Sequence, residues 1–205
     1  MFDDPFRSSF ARLVTPLGQF LVSRGVTPSS ISWTGFAIAV AGAAAIGANH
    51  GYVGLALWLV SRVADGLDGV VARLGGRHSA FGGYLDITLD MAAYSLMVVA
   101  FAYVHPAPAV LWPAILAGYV LAITTTLALS SAAERLARTV AAGDRSFQFT
   151  RGLAEAGETT VVYALWVVFP SHVALVGWLW AGLLLATAIQ RSCLAWRLLP
   201  RHHGH

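Results

Sequence analysis

Residues 61–90 read SRVADGLDGVVARLGGRHSAFGGYLDITLD and carry aspartates at 65, 68, 86 and 90, at the ends of two stretches apolar enough to be membrane helices. Asp65 and Asp68 are three apart and Asp86 and Asp90 four apart, so each pair shares one helix face. A carboxylate in an apolar setting must be solvated, paired or bound to metal, which makes it a functional candidate by default. Four close anions repel, but divalent cations turn that repulsion into binding, and all-oxygen donors suit magnesium or manganese.

Small residues border the same faces. Gly69 lies four after Asp65, Ala72 four after Asp68, and Gly82 four before Asp86. They leave room for a bulky group such as a nucleotide, although close helix packing is the other common use of small residues in membranes. Arg73, ending the second stretch, offers a planar fork of donors to a phosphate; its plainer role is to set topology.

The rest of the chain places these acids in a bilayer. Of 205 residues, 57% are hydrophobic and 11% charged, and the mean hydropathy is +0.67, too little charge to cover a soluble domain of this size. Six spans are expected, at Ile31–Ala48, Tyr52–Val71, Gly83–Val104, Ala109–Leu129, Thr159–Pro170 and His172–Leu194. The formal charge of +3 rests on arginine alone, since there is no lysine. Arg7, Arg12 and Arg24 precede the first span, Arg73 and Arg77 follow the second, Arg135, Arg138, Arg145 and Arg151 follow the fourth, and Arg197 and Arg201 follow the sixth. The opposite turns carry none, so both termini are expected in the cytoplasm.

Upstream, residues 5–22 put Phe6, Phe10, Leu13, Val14, Leu17, Phe20 and Leu21 at helical spacings, an interfacial amphipathic helix that Pro16 would kink. The organisation expected is a juxtamembrane helix over 1–26, a six-helix domain over 27–198 and a cytoplasmic tail over 199–205. No cleavable signal peptide is read at the start. Thr27-Pro28-Ser29-Ser30 reads as a helix start with a serine cap. Trp58, Trp112, Trp166 and Trp178 read as an aromatic belt, and Cys193 as packing.

The series Asp65-x2-Asp68-Gly69-x2-Ala72-Arg73-x8-Gly82-x3-Asp86-x3-Asp90 resembles the full signature of the CDP-alcohol phosphatidyltransferase family, with all eight specified positions matched. The likeness extends more weakly to the six-span layout and the Thr27-Pro28 turn, where Ser29 replaces a frequent family asparagine. The resemblance implies an all-α polytopic bundle in a bacterial inner membrane, with its active site facing the cytoplasm. It implies that an acceptor hydroxyl attacks the phosphate next to the diacylglycerol of CDP-diacylglycerol and releases CMP. Two divalent cations, Mg2+ or Mn2+, would be held by Asp65, Asp68, Asp86 and Asp90, with Asp90 also the general base. Asp65, Gly69, Ala72, Arg73 and Gly82 would bind the CDP donor. The implied partners are a small alcohol, membrane lipids and a second copy of the chain, with no nucleic acid.

A second polar concentration spans Glu134 to Thr160. Its arginines, Arg135, Arg138 and Arg151 among them, fit a phosphorylated acceptor or anionic headgroups, though positive-inside bias also explains them. Glu155 and Glu158 fit a helix start, where acids meet the positive dipole end, or an acceptor site. The expected acceptor is glycerol 3-phosphate, with inositol phosphate, serine and other alcohols as alternatives. Members using a sugar or glycerol phosphate often carry a basic residue directly after the fourth aspartate, where this chain has Met91. His78 in the motif loop reads as solvated, and His202, His203 and His205 as tail residues. A cation transporter would place its acids at the bilayer midplane on broken helices, whereas these lie beside Arg73 at the arginine-rich side. A silent bundle would be expected to have lost an acid of the motif.

Overall fold

The computed structural model of the chain describes residues 14–77, 79–139 and 156–199, and every regular element among them is helical. After α1 (residues 14–23) come α2 (Pro28–Gly47), α3 (Gly51–Leu74), α4 (Ala80–Val104), α5 (Leu111–Thr139), α6 (Ala156–Val168) and α7 (Val173–Leu198), with a 3-10 turn at Pro170–His172. They form two compact units, Met1–Pro106 and Ala107–His205.

Four of these helical stretches are long and apolar enough to cross a bilayer: Pro28–Gly47, Ala80–Val104, Leu111–Arg135 and Pro170–Leu198. That is fewer than the six spans expected. At 24 residues α3 has the length, but Arg62, Asp65, Asp68 and Arg73 lie on it; α6 has only 13 residues. A 20-residue helix rises about 30 Å, the thickness of the hydrocarbon core. Leu179, Val120, Trp196 and Tyr103 are among the exposed apolar side chains, as lipid-facing positions would be.

In the N-terminal unit, small residues let α2 lie against α3. A Cβ at Gly54 would fall 2.8 Å from the Gly42 carbonyl oxygen and 2.6 Å from Ile46, and one at Gly35 would fall 3.2 Å from the Ala64 Cβ. Glycine is needed for that approach. Below it, Val14 of α1, Ile31 of α2 and Leu67, Val70 and Val71 of α3 form a buried cluster. So α1 turns one face to α3 and leaves Leu17 and Phe20 exposed, and Pro16 lies within its described turns. The amphipathic reading upstream of Val14 lies outside the described residues.

Thr27, rather than a serine, caps α2: its hydroxyl accepts from the Ser30 amide at 3.2 Å, and Pro28 opens the helix where no amide partner is needed. Ser79 caps α4 in the same way, accepting from the Gly82 amide at 3.0 Å. Gly76, at φ 60°, lies just past the end of α3. The motif's two acid pairs are thereby carried on consecutive helices.

In the C-terminal unit α7 packs against α5 and α6. The helix α5 runs on to Thr139, so Glu134, Arg135 and Arg138 lie on its last turns instead of in a loop; alanine, glutamate, leucine and arginine there all favour helix. Trp58, Trp112 and Trp166 are buried rather than lipid-facing, Trp112 and Trp166 packing edge to face at 5.4 Å, and only Trp178 keeps the exposure expected of a belt residue. Cys193 is exposed, so it is not a packing residue.

Candidate metal and phosphate site

Three helices of the N-terminal unit supply the site. One carboxylate oxygen from each of Asp65, Asp68 and Asp86 lies within 4.8 Å of the other two, which joins the third acid from α4 to the pair on α3. Asp68 is buried, Asp65 and Asp90 are half-buried, and Asp86 is exposed. The donors are carboxylate oxygens only, and acids in an apolar helix wall are costly unless something positive joins them. That donor set fits a hard divalent cation such as magnesium or manganese.

Two side chains that the sequence reading passed over complete the arrangement. Ser32 of α2 donates to Asp68 Oδ2 at 2.5 Å and orients that carboxylate. Arg62, one turn before Asp65, donates through Nη1 to Asp90 Oδ1 at 2.5 Å and stands 3.7 Å from Asp65 Oδ2. Asp90 thus lies beside the triad, held by a guanidinium. Arg62, Asp65, Asp86, Asp90 and Ser32 line one small cavity. The signal for Arg62 was available in the sequence, since an arginine inside an apolar span is as costly as an aspartate. Ser32 carried no such signal, because serines commonly bond back to their own helix, as this one also does to the Pro28 carbonyl.

The expected donor-site residues lie on the same two helices. A Cβ at Gly69 would meet only the Arg73 guanidinium within 4 Å, at 3.5 Å, so open space and a folded-back arginine occur together there. Arg73 is exposed and Ala72 half-buried. At Gly82 a Cβ would press on the capping Ser79 hydroxyl at 3.2 Å, which gives that glycine a local reason in addition to any ligand.

The expected acceptor residues belong to the other unit. Arg135 is exposed near the end of α5, the backbone of Arg138 is helical, and Glu158 is exposed in the first turn of α6. Arg151 and Glu155 lie outside the described residues, as do His78, His202, His203 and His205.

A family model described as CDP-alcohol phosphatidyltransferase matches residues 25–190. The Escherichia coli inner membrane protein YnjF is 31% identical over 171 residues, 82% of either chain. A phosphatidylinositol phosphate synthase of Cutibacterium acnes is 36% identical over 113 residues; the match takes in 53% of this chain and 54% of that protein. Among solved structures, phosphatidylinositol phosphate synthase of Mycobacterium tuberculosis with CDP-DAG bound superposes at a TM-score of 0.69, with 23% identity, over 95% of this chain and 98% of that one. The same protein has also been solved in complex with manganese and citrate, at a TM-score of 0.68.

Proposed function

The chain belongs to the CDP-alcohol phosphatidyltransferase family, and from that premise we propose that it transfers a phosphatidyl group from CDP-diacylglycerol to inositol phosphate, releasing CMP. The observation that carries the reaction is the convergence of Asp65, Asp68 and Asp86 within 4.8 Å, with Asp90 beside them. The acceptor is argued from kinship: the relatives include phosphatidylinositol phosphate synthases of several bacteria and archaetidylinositol phosphate synthases of archaea. That favours inositol phosphate over the glycerol 3-phosphate expected from the sequence.

In this reading Asp65, Asp68 and Asp86 hold the cations, of which the sequence reading expects two. Bound Mg2+ or Mn2+ neutralises charge on the pyrophosphate and on the departing CMP. Gly69 leaves space for the nucleotide, with Ala72 and Gly82 bordering it, and Arg73 meets a donor phosphate through its fork of N–H groups. Asp90 takes the proton of the acceptor hydroxyl as its oxygen bonds to the phosphorus next to the diacylglycerol and the bond from that phosphorus to CMP breaks. The phosphate of the acceptor is read by Arg135, Arg138 and Arg151, and its hydroxyls by Glu155 and Glu158.

The same proposal covers the setting. Six spans over 27–198 form the catalytic domain, preceded by the juxtamembrane helix of 1–26 and followed by the tail of 199–205. Both termini and the site face the cytoplasm of an inner membrane, and the working form is a homodimer.

The test is CMP release by purified protein in nanodiscs, with CDP-diacylglycerol, Mg2+ or Mn2+ and a panel of inositol phosphate, glycerol 3-phosphate, inositol and serine. Metal-dependent release with inositol phosphate alone is the expected result. Release with a different acceptor removes the acceptor assignment and keeps the reaction; none from folded protein with any acceptor removes both.

A further inference from the structure

Arg62 has no part in the roles assigned so far, yet it is among the most firmly held side chains of the site. Its guanidinium carbon lies 4.5 Å from the centroid of the Trp58 ring and 5.4 Å from that of Tyr94. Both rings are buried, one on α3 and one on α4, so the guanidinium rests against an aromatic wall built by the two acid-bearing helices. Nη1 donates to Asp90 Oδ1 at 2.5 Å and stands 3.7 Å from Asp65 Oδ2, and Nε reaches the buried Ser61 hydroxyl at 3.4 Å. Held from several sides and protonated at any ordinary pH, Arg62 adds a permanent positive charge to the acid cluster.

That charge decides how many cations the cluster takes by itself. Metal-binding carboxylates are ionised, so Asp65, Asp68, Asp86 and Asp90 bring four negative charges and Arg62 cancels one, leaving three. One divalent cation lowers the excess to a single negative charge. A second would turn the site net positive beside a fixed guanidinium, in a helix wall where unbalanced charge is costly. The pyrophosphate of CDP-diacylglycerol carries two negative charges, and its arrival makes the second cation favourable again. Arg73, the other arginine near the acids, is exposed, so water and salt screen it. Asp90 can serve a cation through Oδ2 while Oδ1 stays with Arg62. If the only need were a strut between α3 and α4, an apolar side chain would serve a membrane interior at lower cost than an arginine.

We propose that Arg62 makes loading of the cation pair conditional on the donor: the site alone holds one divalent cation firmly, and the second enters with the nucleotide lipid. The inference rests on the reading of the acids as a metal site for CDP-diacylglycerol. Arg62 thereby couples the two ligands, and by linkage each raises the affinity of the other by the same factor.

The parent chain, Arg62→Gln and Arg62→Lys, each in nanodiscs of zwitterionic lipid, test it. Bound Mn2+ per chain is counted by electron paramagnetic resonance, first without substrates and then with CDP-diacylglycerol and no acceptor. Binding by empty nanodiscs of the same lipid content is subtracted. Without donor the parent is expected to bind one Mn2+, any second being at least about tenfold weaker; with donor it binds two of comparable affinity. Arg62→Gln is expected to bind its second Mn2+ at least about tenfold more tightly than the parent when no donor is present, and to gain correspondingly less when donor is added. Arg62→Lys keeps a positive charge and is expected to follow the parent.

Two Mn2+ of comparable affinity in the donor-free parent overturn the proposal, and that result needs no variant to fold. So does a second, donor-free affinity in folded Arg62→Gln that is weaker than the parent's or within about threefold of it, which makes Arg62 a structural strut. Arg62→Lys loading like Arg62→Gln also overturns it, because the charge would then not be the cause. No Mn2+ bound by the parent with or without donor is a different failure: it removes the metal reading itself, whatever Arg62 does.

Discussion

In the N-terminal unit three carboxylates come within 4.8 Å of one another and a fourth is held by Arg62, so charge of one sign is left in excess. The C-terminal unit buries polar groups too, but neutral ones that close on each other. There the Tyr119 hydroxyl lies 3.1 Å from that of Tyr163 and accepts from Trp180 Nε1 at 3.1 Å. Each unit also carries an arginine inside a helix. Arg62 faces acids and aromatic rings, whereas Arg191 donates to the Ala122 carbonyl at 3.1 Å and to the Thr126 hydroxyl. A satisfied neutral network fixes packing, and an uncompensated cluster stores affinity for something absent from the chain. Burial alone does not mark the site; the sign of the leftover charge does.

Breaking that difference is most damaging at Asp90. Asp90→Asn is expected to lower kcat for CMP release by about 10² to 10⁴, the contribution of a positioned general base, while Mn2+ binding persists. A variant that binds Mn2+ as before and still turns over would remove Asp90 from the chemistry. Next comes the triad: Asp86→Asn and Asp65→Asn are each expected to weaken Mn2+ binding by more than about tenfold, since affinity at oxygen sites follows ligand charge. Calorimetric titration with Mn2+ checks this, and unchanged affinity in both variants would deny the acids their metal.

Arg73→Ala sharpens the comparison inside the N-terminal unit. Loss of a charge-assisted contact to a donor phosphate is expected to raise the donor KM roughly tenfold to a hundredfold and leave the acceptor KM alone. The reverse pattern would move Arg73 to the acceptor. Ser32→Ala, which removes the hydroxyl donating to Asp68 Oδ2, is expected to reduce Mn2+ affinity about tenfold, the low end for a group that orients a metal-binding carboxylate.

The motif acids and the helix boundaries around them were legible because both obey local rules. Two acid pairs at helical spacing predict two faces, and apolar runs predict α2, α4 and α7 to within a few residues. What escaped depended on partners far along the chain. The contact between Ser32 and Asp68 joins residues 36 apart, and that between Arg62 and Asp90 residues 28 apart. Trp58 was misread for the same reason: its ring is buried and packs on that of Tyr94, which belongs to another helix, at 5.4 Å. The helix α3 was legible too, expected over Tyr52–Val71 and found over Gly51–Leu74, although the charged residues that make it the functional element keep it from qualifying as a span by composition.

The smallest effect tests the other side of the comparison. Tyr119→Phe keeps the ring that packs edge to face on Trp180 at 6.3 Å and removes only the hydroxyl. That oxygen accepts from the Trp180 indole and also hydrogen-bonds with Tyr163 and Thr159, so its loss takes a partner from three buried polar groups at once. The expected cost is about 1 kcal/mol, because hydrogen bonds within membrane bundles are worth little more than those in water-soluble cores. For a chain of this length that lowers the unfolding midpoint by about 2–4 °C, measurable by thermal denaturation in nanodiscs. Mn2+ affinity and kcat are expected to stay at the parent values, since the network carries no charge and holds no metal-binding acid. If kcat fell while the midpoint held, the Tyr119 hydroxyl would belong to the chemistry, and neutral, mutually satisfied polarity in this bundle would no longer distinguish scaffold from site.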